Sequence, residues 1–182
     1  CIMPYSMPLW IILAKCPAPE GPTWSHPSGG ARVSKAGFKR APTLLPFMAD
    51  FYQVYYLNGL MAGALTKSGK IGYVGAFPIP EVKRHIDAFA LGVRAVRPDA
   101  QVHVRWINDW FKPDAAKEAA EALISLGADV FAFTEDSPTV VQVAAKRDLP
   151  SFGHYSPMHD FSPDHVVSGQ LVHWEKIYLD VL

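Results

Sequence analysis

The chain has 182 residues, of which 49% are hydrophobic, enough to bury the core of one ordinary globular domain, so disorder of the bulk is excluded. Lys+Arg and Asp+Glu both number 17, for no net charge, and no basic run marks a face that would track phosphates. Nucleic acid is therefore not an expected partner.

The N-terminal stretch is unlike the rest. Met3 to Ala14 is apolar, but Pro4 and Pro8 interrupt it and it is too short to span about 30 Å of hydrocarbon. Cys1 and Cys16 lack a second Cys or a His at zinc-ligand spacing. A leading cysteine is the residue lipidated in processed bacterial lipoproteins, yet Ile2, Pro4, Trp10 and Ile11 replace the polar linker that normally follows. Residues 1–34 are read as an irregular leader or truncated segment, with one short strand near Arg32 to Ser34 inside a Pro-, Gly- and Ser-rich loop over residues 17–46.

From Pro46 to Leu65 a breaker-free apolar segment spaces Phe47, Phe51, Tyr55, Leu57, Leu60, Met61 and Leu65 over a broad helical face. Its Gly59, Ala62 and Gly63 permit close contact with another element. Strands and helices then alternate. Strands are expected at Ile71 to Phe77, Gln101 to Ile107, Asp129 to Thr134 and Pro150 to Gly153. Helices are expected at Pro80 to Val96, Asp114 to Leu126 closed by Gly127, and Pro138 to Arg147. This order predicts an α/β fold with a doubly wound parallel sheet and right-handed crossovers.

Ligands of such sheets bind beyond the carboxyl ends of the strands. The turns there are Phe77 to Pro80, Asn108 to Phe111, Thr134 to Ser137 and His154 to Pro157, rich in aromatics, prolines and short polar groups. They suit a flat, hydrogen-bonding solute. Asn108 supplies a donor and an acceptor, although Asn also favours turns. Trp110 can stack on a planar ring or cap the next helix. Phe77 and Pro78 stand at a helix mouth, where they either meet a ligand or set the turn. Asp136 and Ser137 precede a helix, so N-capping explains at least one of them.

The histidines His154, His159 and His165, with Asp160 and Asp164, lack the spacing of zinc motifs and are read as surface polar residues. The sequence has no nucleophile elbow, no Walker loop and no dinucleotide-binding glycine motif, so no catalytic residues, metal or cofactor are expected.

Four segments together carry a resemblance: Ser68-Gly-Lys-Ile-Gly-Tyr-Val-Gly-Ala-Phe-Pro-Ile-Pro-Glu-Val82, Ile86 to Gly92, Trp106 to Pro113 with Glu118 to Leu123, and Gly127 to Val130. From about Lys35 to Leu182 the chain resembles substrate-binding proteins of the basic membrane protein family. The resemblance implies a type I periplasmic-binding-protein fold, in which two α/β lobes joined by three crossings close on a solute. It implies residues 35–70 as helix and crossing from the first lobe, 71–165 as the second lobe, and 166–182 as the return crossing, with most of the first lobe absent. The helix from residue 47 to 65 should then lack the sheet it covers and favour self-association.

The implied function is the solute-binding part of an ABC importer, taking a purine base or nucleoside-like solute and presenting it to membrane permease subunits. The implied location is periplasmic or on the cell surface, as an anchored lipoprotein. The implied ligand-binding residues are Phe77, Pro78, Asn108, Trp110, Asp136, Ser137, Tyr155 and Trp174. Tyr155 stands where many members carry a polar residue, often Asp, a departure that favours a free base or another planar solute over a nucleoside. A cytoplasmic ligand-sensing regulator of the same fold is the alternative, but residues 1–46 show no helix-turn-helix pattern.

Overall fold

The computed structural model describes residues 50–173 and 175; the expected strand near Arg32 to Ser34, both cysteines and Trp174 lie outside them. Among the described residues the elements in chain order are α1 (Phe51–Leu65), β1 (Lys70–Gly75), α2 (Pro80–Val96), β2 (Gln101–Trp106), α3 (Pro113–Ser125), β3 (Val130–Thr134), α4 (Thr139–Ala145), β4 (Ser151–Gly153), a 3-10 turn α5 (Met158–Phe161) and β5 (Val166–Gly169). All strand pairs are parallel, in the order β2-β1-β3-β4-β5. The α/β reading thus holds, and the sheet runs one strand further than expected. Val166–Gly169, read as the start of a return crossing, pairs with β4 instead. Its four residues carry no strong apolar run, so little in their pattern marks an edge strand.

The sheet's position explains its composition. β1 and β3 are buried on both faces, so they read as near-continuous apolar runs, whereas the outer β2 is only half-buried. Alternate residues face opposite layers. Tyr73 meets Phe89 of α2 at 5.6 Å between ring centroids, and Phe89 in turn meets Phe152 at 6.2 Å. On the other face Val74, Phe131 and Phe133 join Ala116, Ala120 and Leu123 of α3 and Val140, Val141 and Ala144 of α4 in a dry core. α3 closes at Gly127, whose φ of 90° is left-handed, while Ala128 N–H reaches back to the Leu123 carbonyl at 3.1 Å.

α1 lies in the same unit as the sheet and does not lack something to cover. It buries Phe51, Tyr55, Asn58, Gly59, Ala62 and Gly63. The reason is a backbone-close crossing with α2: a Cβ on Gly59 would stand 2.1 Å from the Phe89 carbonyl oxygen, and one on Gly92 would stand 2.2 Å from that of Tyr56. The expected bare face is therefore spent on α2. What stays outside is narrower, with Tyr56, Leu57 and Leu91 exposed along a shallow groove.

Candidate functional site

The strand order places β1 between β2 and β3, so the chain reverses direction across the sheet between β1 and β3, where open α/β sheets bind ligands. Ala76 N–H donates to the Thr134 carbonyl at 3.0 Å, and Ile107 N–H donates to that of Gly75 at 3.0 Å. These bonds carry the ladder just past the strand ends and fix where the three turns begin.

Three of the expected residues meet there. The rings of Phe77 and Trp110 lie 5.4 Å apart at 58°, an arrangement worth about 1 kcal/mol beyond area burial. Asp136 N–H donates to the Trp110 carbonyl at 2.7 Å, so the turn after β3 is tied across β1 to the turn after β2. The Asp136 side chain is half-buried, and burial pushes its carboxyl up to about 6. The site thus combines an aromatic pair with a carboxyl that changes charge near neutral pH.

The other expected residues stand apart from that group. Pro78 is exposed beside Phe77, and Asn108 is exposed with a left-handed φ of 52°, a turn conformation that Asn tolerates. Ser137 is buried and faces inward: its N–H and hydroxyl bind the Glu135 carboxylate at 2.8 and 3.1 Å, and its oxygen accepts Thr139 N–H at 3.3 Å. These bonds fix the turn ahead of α4, whose N-cap is Pro138 and carries no side-chain cap. Tyr155, at φ 57°, packs between the rings of His154 at 3.6 Å and Phe51 at 4.2 Å, with its hydroxyl 3.5 Å from Glu81.

Several residues here escaped the sequence reading. Glu135 is fully buried, and burial, only partly offset by the Ser137 hydrogen bonds, pushes its carboxyl up to about 7. A carboxylate so close behind the apolar run Val130 to Phe133 was the available signal. His154 was read as a surface residue but is 2% exposed, because the turn after β4 folds its ring under Tyr155 and against α1. Tyr55 of α1 donates to the Phe133 carbonyl at 3.0 Å and contacts His154 Nδ1 at 2.7 Å. Tyr73 and Thr134 share a further hydroxyl contact. His85 of α2 stacks on Tyr55 at 4.7 Å, and burial lowers it to about 4, which keeps it neutral. His165 bridges Ser162 at 2.9 Å and Asp148 at 3.0 Å. Among the described residues no helix is long and apolar enough to cross a membrane.

Comparisons with known proteins place the chain in a family and a fold. Residues 48–182 match the Bmp family, described as ABC transporter substrate-binding protein, PnrA-like. A Haloferax volcanii protein named as the glucose-binding protein of an ABC transporter is 41% identical over 142 residues, which are 78% of this chain and 36% of that protein. A purine-binding protein of Brucella abortus is 38% identical over 144 residues, 79% of this chain and 41% of that protein. The chain thus spans about two fifths of the length of these relatives. A solved ABC transporter solute-binding protein from Conexibacter woesei superposes with a TM-score of 0.54 at 31% identity, covering 57% of this chain and 35% of that one. A transcriptional activator from Bacillus halodurans superposes at 0.65 with 22% identity, covering 71% of this chain and 45% of that one, a likeness of fold alone.

Proposed function

The chain belongs to the PnrA-like family of ABC transporter substrate-binding proteins, and from that membership we propose that its crevice binds a planar, purine-like solute that the whole protein delivers to the permease subunits of an importer. The observation that carries this reading is the Phe77–Trp110 ring pair at the ends of β1 and β2, with Asp136 tied beside it. Aromatic rings give a flat heterocycle a stacking surface, and a carboxyl at the rim takes a ring or exocyclic N–H.

The mechanism is closure. One lobe leaves a face of the solute in water, and a second lobe completes the enclosure and presents a shape that the permease recognises. β1 to β5 supply the second lobe, residues 35–70 a helix and crossing, and the hinges lie near Thr66 to Lys70 and after Gly169. Asn108, Pro78 and Ser137 shape the turns around the ligand, and Tyr155 and Trp174 border it. The site of action is outside the cytoplasm, with the protein anchored as a lipoprotein. As a separate chain these residues bind weakly and self-associate through Tyr56, Leu57 and Leu91.

Isothermal titration with adenine, adenosine and glucose, beside light scattering, tests the reading. Binding of the purines, weakened by about 1–3 kcal/mol in Trp110→Ala, is expected. Binding of glucose alone, or unchanged affinity in the variant, contradicts it.

A further inference from the structure

α1 carries no charge: none of its 15 residues is Asp, Glu, Lys or Arg. A helix of that composition is ordinarily covered all round. Its inner side meets α2 and the sheet, but Tyr56 is 39% exposed and Leu57 54%, and Leu91 of α2, which lines the same groove, is 61% exposed. Further along these two helices Leu65 and Val96 are exposed as well. Covering these five side chains removes about 500 Å² of apolar surface from water, near the top of the roughly 300–600 Å² that the largest patch of a monomer reaches. With the half-buried Tyr52 and Leu60 and the polar rim, the face comes to about 800 Å², the share of one partner in a standard interface.

The charges at the rim indicate what covers it. Asp87 and Arg94 of α2 are both exposed, and among the described residues neither makes an ion pair. Asp87 stands four residues before Leu91 and Arg94 three residues after it, so both lie along the Leu91 stripe, about one turn away in opposite directions. A twofold axis at Leu91 runs the α2 helices of two copies antiparallel and sets Leu91 against its own counterpart. It also brings Asp87 of each copy opposite Arg94 of the other. Arg84 does not oppose this pairing, since its guanidinium lies over the Tyr52 ring at 5.9 Å. A lipid surface fits less well: its phosphates repel Asp87, and a flat bilayer has no ridge to fill the groove between Tyr56, Leu57 and Leu91.

We infer that the outer face of α1 and α2 is the interface of a symmetric homodimer, in which α2 packs antiparallel on α2 of a second copy about a twofold axis at Leu91. The pairing is isologous, so the self-association proposed above closes at two copies and does not grow into larger species. The patch lies on the outer side of the helix layer and the crevice at the carboxyl ends of the strands, so the dimer leaves both crevices open. The inference does not rest on the crevice binding a ligand.

Sedimentation velocity of the full chain over a concentration series tests it, with Asp87→Arg, Arg94→Asp and the two exchanges together. The parent is expected to be a dimer. Each single exchange places like charges opposite each other and is expected to weaken the dimer at least about tenfold, and the double exchange to restore it. In a Cys1→Ser, Cys16→Ser background, Leu91→Cys is expected to be joined to its counterpart by a short bismaleimide, whereas Lys117→Cys on α3 is not. Phosphatidylglycerol vesicles form a further arm, with no co-sedimentation expected. A monomer throughout, a ladder of larger species, a dimer indifferent to the single exchanges, a double exchange that stays weak, no cross-link at Leu91→Cys, or a monomer that sediments with the vesicles would each overturn it. A dimer that behaves as expected while no purine binds would support this interface and refute the crevice reading alone.

Discussion

The two faces of the sheet are built from different chemistry. Toward α3 and α4 the layer is aliphatic and phenyl throughout, with Val74, Leu123, Phe131, Phe133, Val140 and Ala144 all fully buried. Toward α1 and α2 it is aromatic and polar, with Tyr55, Tyr73, His85, Thr134 and His154 linked by hydroxyl and ring contacts. Apolar packing is non-directional and stabilises the lobe wherever it occurs. Directional bonds fix positions, and those of the second face end at the Phe133 carbonyl, Thr134 and His154, where β3 and β4 release their turns. One face supplies stability and the other sets the crevice.

Substitutions on the two faces should therefore separate stability from binding. Phe131→Ala, in the dry face, is expected to cost about 3–5 kcal/mol in urea denaturation while leaving the affinity of the folded fraction nearly unchanged. Tyr55→Phe removes one hydroxyl from the other face and leaves the Phe133 carbonyl without that donor and His154 Nδ1 without that acceptor. A loss of about 1–3 kcal/mol is expected, with faster hydrogen exchange at Thr134 to Asp136 and weaker ligand binding. If both variants altered binding equally, the division between the faces would fail.

A pH series sharpens the contrast, because the ionisable groups with raised carboxyl values lie beside the crevice. Glu135 is raised from 4.5 to about 7 and Asp136 from 3.8 to about 6, both by burial. The folded state holds these protons more tightly than the unfolded chain, so their contribution is fully present below about pH 4 and is lost as pH rises toward 7. His85, lowered to about 4 by burial, works in the opposite direction and costs stability as pH falls from 6.5. Glu135→Gln removes one of these titrations. Its stability relative to the parent should rise by about 1–3 kcal/mol between pH 4.5 and pH 8. A flat difference would mean that Glu135 titrates normally.

The smallest effect is expected at the opposite edge of the sheet. Asp129 accepts the Thr66 hydroxyl at 2.6 Å and the N–H groups of Lys67 and Ser68 at 2.7 Å each. Partial burial raises its pKa, but these hydrogen bonds outweigh that and hold it below the ordinary value. Asp129→Asn should cost about 1 kcal/mol at neutral pH, less as pH falls below 4, and leave binding unchanged.

How much of this was legible follows the same division. Local signals placed α2 over Pro80–Val96 with its first-turn proline and ended α3 at Gly127. They also placed Phe77, Trp110 and Asp136 at strand ends, where the structure brings them together. β5 and the burial of His154 were not legible, because both arise from a strand pairing between segments joined by an irregular turn. The packing of α1 was misjudged for a related reason. Gly59 and Gly63 marked a close contact, but nothing local showed that Gly92 of α2 is the other side of the crossing.

The central claim is that the carboxyl edge of the sheet is the ligand surface. Hydrogen exchange of the full chain with and without saturating adenosine tests it most directly. Slower exchange is expected in the turns at residues 76–79, 107–111, 135–138 and 154–156, with α3 and α4 unchanged. Protection confined to α3, α4 or the turn around Asp129, with none at those four places, would contradict it.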